Sequence, residues 1–126
     1  FSEMMTSGSH FGSLHMVANN EADCAALDCV SFALFQQHYP ELTGRLRILT
    51  TTPKVPGLPY VTRRTLPADD VARLRAGLQT VLADPTLAKL RALLLIKGAV
   101  ELPADAYQTL QSMEQYAHQL GYPQII

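Results

Sequence analysis

No apolar run in these 126 residues approaches the roughly 20 that a membrane-spanning helix needs; the longest strongly apolar stretch is Leu93 to Ile96. Cysteine is scarce. Cys24 and Cys29 are too few and too close in sequence for a disulfide scaffold, and a Cys-x4-Cys spacing with no second pair suits zinc poorly. A basic excess is missing as well. Lys+Arg 10 against Asp+Glu 11 leaves a formal net charge of -1, which excludes the phosphate-backbone electrostatics of a nucleic-acid binder. The opening Phe1-Ser2-Glu3-Met4-Met5 has neither a basic n-region nor an apolar h-region, so an export signal is expected outside this chain, which then reads as a fragment. What is present is 48% hydrophobic residues, apolar material for one modest core.

Along the chain, the polar run Thr6-Ser7-Gly8-Ser9 precedes Phe11, Leu14 and Val17 or Ala18 at helical spacing, predicting a short helix from near His10. Cys24-Ala25-Ala26-Leu27, closed by Asp28, reads as a strand buried on both faces, with Cys24 as a core thiol. Val30 to His38 returns to helical spacing and stops at Tyr39-Pro40, because the residue before proline is pushed out of the α region. Leu46 to Thr52 alternates and is rich in β-branched residues, predicting a second strand. Pro53 to Pro59 cannot continue it, and Tyr60-Val61-Thr62-Arg63 is the next extended piece.

From Pro67 the character changes. Val71, Leu74, Leu78, Val81 and Leu82 form one apolar stripe; Asp84-Pro85 starts a helix with Leu87, Leu90, Leu93 and Leu94 inward; Pro103 starts another, with Tyr107, Leu110, Met113 and Ala117 inward, ended by Gly121 and Pro123. The order helix, strand, helix, strand, Pro-rich crossing, strand and three helices predicts an α/β fold with a parallel or mixed sheet and a helical C-terminal tail. Ligands in such folds collect at strand carboxyl ends and helix amino ends. Two places meet that rule, Ser7-Gly8-Ser9-His10 and Asp28.

At Ser7 to His10, first-turn amides, the helix dipole, two hydroxyls and an imidazole converge on a volume suited to an oxyanion; the bland alternative makes Ser9 a plain N-cap and His10 an exposed first-turn residue. Asp28 holds a polar ligand group or caps the helix beginning at Val30, and one side chain can do both. Ser9, His10 and Asp28 do not make a convincing hydrolase, since no Gly-x-Ser-x-Gly elbow surrounds the serine. His10 and His15, five apart, leave a common helix face and make a poor metal pair. Tyr60 presents its ring to a cleft or wedges between packed layers. No catalytic residue, metal or cofactor is assigned.

The blocks Ser7-Gly8-Ser9-His10-Phe11-Gly12-Ser13-Leu14-His15-Met16-Val17-Ala18, Glu21 to Val30 and Pro56-Gly57-Leu58-Pro59-Tyr60-Val61-Thr62 resemble the periplasmic solute-binding proteins of ABC importers, of the phosphate/phosphite/phosphonate type, and the likeness continues to Gly121-Tyr122-Pro123. The resemblance implies a two-lobe periplasmic-binding-protein fold of type II, of which this chain is the carboxyl-terminal half. Residues 1–45 would complete the second α/β lobe, 46–59 cross the hinge, and 60–126 return to the first lobe.

It implies a small phosphonate- or phosphate-like anion bound in the interlobe cleft by Ser7, Ser9 and His10, with Asp28 orienting a polar group and Tyr60 flanking the cleft. The partners would be that solute and the ABC permease membrane subunits, in a periplasmic or membrane-anchored extracytoplasmic setting. A sensory or interaction module of the same fold is the alternative. Open sheet edges lead to a further expectation, a homodimer by strand or domain exchange or a piece of a longer processed chain.

Overall fold

A computed structural model describes residues 2–122; Phe1 and the Pro123 helix stop lie outside the described residues. The described chain falls into two compact units, one running to Pro53 and the other beginning at Lys54, where the Pro-rich segment starts.

The first unit holds α1 (His10–Ala18), α2 (Cys29–His38) and the single turn α3 (Pro40–Thr43). Ser9 stands at the N-cap of α1 in extended conformation and accepts from the Gly12 amide. The helix ends in a Schellman arrangement: Asn20 turns left-handed at φ 60°, its amide donates to the Val17 carbonyl, and the Glu21 amide donates to the Met16 carbonyl at 2.8 Å. Asparagine tolerates that conformation better than most residues. Asp28 caps α2 and Pro40 ends it, as the sequence predicts; Pro40 also opens the short α3, which the sequence reading did not include.

Leu14 is fully buried and Ala18 nearly so, where the inner face of α1 meets α2 and α3. Phe11 stands 5.4 Å from Phe35 and 4.9 Å from Tyr39, ring centre to ring centre, so an aromatic cluster ties the start of α1 to the end of α2. Arg45 donates to the Ala18 carbonyl, placing a cation at the negative end of α1.

The second unit holds α4 (Ala68–Ala83), α5 (Ala88–Leu93) and α6 (Gln108–Gln119), the last two led by 3-10 turns at Pro85–Leu87 and Ala104–Tyr107. Pro67, whose residue type suits a first helical position, sits instead at the N-cap of α4, and the helix begins one place later at Ala68. Asp84 accepts from the Thr86 hydroxyl at 2.7 Å and its amide at 2.8 Å, which together hold its carboxyl below the ordinary value. Gly121 ends α6 at φ 85°, as predicted. The Tyr107 hydroxyl reaches the Gly57 carbonyl at 3.4 Å and anchors the Pro-rich segment to the turn that leads α6.

The α/β fold of type II is overturned: no strand and no sheet occurs among the described residues. Cys24 to Leu27, Leu46 to Thr52 and Tyr60 to Arg63 all lack regular structure. A strand exists only through its neighbour's hydrogen bonds, and no described segment supplies the partner ladder. Side chains expected inside are therefore outside. Cys24 is exposed rather than a core thiol, and Ile48 and Leu49 are exposed.

The helices of the second unit form where predicted, but Leu74, Val81, Leu90, Leu93, Leu94, Leu110 and Met113 are exposed instead of inward. Both α5 and α6 pack chiefly against their own leading turns, so the apolar stripes face no opposing helix layer among the described residues.

Candidate functional site

The start of α1 is built by three serines and two glycines. Gly8 takes φ 77°, a left-handed turn that brings Ser7 back over the first helical turn. There the Ser7 carbonyl lies so close to Gly12 that a Cβ on that residue would stand 2.5 Å from the oxygen, a place only glycine fills. The Ser7 hydroxyl donates to the Ser9 carbonyl at 3.0 Å and meets the Ser13 hydroxyl at 2.6 Å. A hydroxyl has one proton, so Ser13 is the donor in that second bond.

Among the amides that a helix start leaves without an intrahelical acceptor, that of Gly12 donates to Ser9 Oγ at 2.9 Å. The amides of Ser9, His10 and Phe11 have no acceptor among the described residues. Ser9 Oγ accepts in its capping bond and keeps its own proton to donate. The His10 side chain is exposed beside it. Open amides, a free hydroxyl proton and an imidazole are gathered at the positive end of a nine-residue helix, an arrangement that attracts an anion.

Asp28 belongs to the same unit. Its carboxylate accepts from the Ser31 amide at 2.7 Å, and that bond, followed by the Ser31 hydroxyl, holds its pKa below the ordinary carboxylate value. His10 contributes a smaller lowering through its charge, so the two groups stand within electrostatic reach of each other. Ser7, Ser9, His10 and Asp28 thus share the first unit. Tyr60 lies in the second, 80% exposed in the extended stretch after Pro59.

Two participants escaped the sequence reading. Gly12 admits the Ser7 carbonyl, and Ser13 supports the Ser7 hydroxyl; the signal available was the Ser-Gly-Ser-x-x-Gly-Ser spacing itself. Ser9 Oγ pairs with the Gly12 amide, which leaves it occupied as a cap instead of partnered to a base. No group of three or more His, Cys, Asp or Glu that could hold a metal occurs among the described residues.

The family whose sequence model matches is described as "ABC transporter, phosphonate, periplasmic substrate-binding protein", and the match runs over residues 1–107. The chain belongs to that family. Phosphonate-family substrate-binding proteins are a non-enzymatic class with an extracytoplasmic station, and membership implies a small solute as ligand and permease subunits as partners. No described helix is long and apolar enough to cross a membrane. Neither a curated protein nor a solved structure matches the chain. The matched stretch contains every residue of the α1 start, Asp28 and Tyr60.

Proposed function

We propose that this chain binds a small phosphonate- or phosphate-type anion at the start of α1 and serves the import of that solute through an ABC permease. The observation that carries the reading is the set of unengaged donors there, the Ser9, His10 and Phe11 amides with the Ser9 hydroxyl and the His10 imidazole, inside the stretch the family model matches. Each such donor makes a charge-assisted hydrogen bond to an oxyanion, stronger than its bond to water once the anion is desolvated.

Ser7 acts one step back, holding the Ser9 carbonyl and closing over Gly12. Asp28 caps α2, and its carboxylate stands within electrostatic reach of His10.

Isothermal calorimetry on the chain with methylphosphonate, phosphite and phosphate tests the reading. Heat is expected with at least one of them, and His10→Ala should weaken that binding by about tenfold or more, the value of one hydrogen bond to a charged group. Silence with all three anions defeats the proposal. Undiminished binding in His10→Ala removes the imidazole from the site.

A further inference from the structure

The two cysteines stand on either side of Asp28 and take no part in the anion wall. Both thiols are free and exposed. Cys29 is the first residue of α2, while Cys24 lies in the unstructured stretch before it. Between them, Ala25, Ala26 and Leu27 make no hydrogen bond among the described residues, while Asp28 is held to α2 by its carboxylate, which accepts from the Ser31 amide, and by its carbonyl, which accepts from the Phe32 amide.

The extracytoplasmic station of the family places these thiols in an oxidising compartment. Across so short a tether the effective concentration of one thiol at the other is in the mM range or above. Ala25, Ala26 and Leu27, with no hydrogen bond to break, can turn until the two Cα atoms reach the roughly 4.4–6.8 Å that a bridge requires.

We propose that Cys24 and Cys29 join in a disulfide that closes a loop over Ala25 to Asp28. The oxidant is a protein disulfide of the thiol-exchange class. One cysteine thiolate attacks its S–S bond, forming a mixed disulfide and releasing one oxidant thiol. The second cysteine attacks that mixed disulfide, forming the Cys24–Cys29 bond and releasing the other oxidant thiol. Two electrons pass to the oxidant, and the two cysteine protons end on its sulfurs. The bridge tethers the unstructured stretch to the first turn of α2, next to the Asp28 cap.

The test is intact-mass measurement and alkylation of the full chain recovered from an oxidising compartment, with and without reductant. The oxidised chain should weigh about 2 Da less than the reduced one, take up no alkylating agent before reduction and gain two adducts after it. Cys24→Ser and Cys29→Ser should each leave one thiol that alkylates without reductant. Two adducts on the unreduced native chain overturn the proposal. So does a reductant-sensitive dimer in place of the internal bridge.

Discussion

The two units carry similar apolar patterning and use it differently. In the first, Leu14 and Ala18 are buried and Phe11, Phe35 and Tyr39 cluster, so the start of α1 is fixed against its neighbours. The second has longer helices and tidy ends, yet Leu74 is 55% and Leu93 54% exposed. Helices there are held by caps, i→i−4 bonds and local ion pairs such as Arg73 with Asp70, forces that act within a few residues. An apolar stripe specifies a helix without specifying what covers it. The difference also separates the gathered donors from the exposed stripes, because those donors sit on the unit whose helices pack on one another.

That contrast can be attacked by mutation. Leu14→Ala should cost about 2–4 kcal/mol through lost burial and a residual cavity, whereas Leu74→Ala should cost under about 1 kcal/mol; urea denaturation followed by circular dichroism compares them, and equal losses would erase the distinction. Gly12→Ala should cost about 1–3 kcal/mol because its Cβ must displace the Ser7 carbonyl, and it should weaken anion binding by calorimetry while leaving the second unit's helicity unchanged.

Asp28→Asn keeps a capping oxygen but drops the charge, at about 0.3–1 kcal/mol. Its pH signature is sharper. The carboxyl pKa is lowered by folding, so its stabilisation is complete above the ordinary value of 3.8 and is lost as pH falls from there through the folded value. Acid titration of helical ellipticity should show that loss in the native chain and a smaller one in the variant.

The smallest effect is expected at Leu95, which ends α5 at φ 58°, its amide and that of Ile96 closing a Schellman turn onto Ala92 and Arg91. Leu95→Gly relieves the strained backbone but loosens the unfolded chain, so a gain near about 0.5 kcal/mol in thermal unfolding is expected.

Many of the features that act at short range were legible in the sequence. Ser9 and Asp28 as caps, Pro40 as a stop, Asp84 before Pro85 and Gly121 as a terminator act through neighbours within four residues, and each stands where its chemistry predicts. The sheet was not legible in the same way. Alternation from Leu46 to Thr52 reports what a strand would need, and a partner ladder is a property of other segments. The same limit applies to Leu90 and Met113, whose helical spacing is right and whose covering layer is absent among the described residues. At the candidate site, Ser9 and His10 were visible as residue types, while Gly12 and Ser13 became meaningful only once Gly8 folded the chain back onto them.

The hydroxyl tie between Ser7 and Ser13 spans six positions and joins the lead-in strand of backbone to the helix it introduces. On the proposed anion site, a solute arriving there would meet dipoles whose aim is already set, leaving little ordering for the moment of capture. Selectivity among tetrahedral ions would then follow from the angular spread of that fixed fan of protons, and altering the tie alone would retune it.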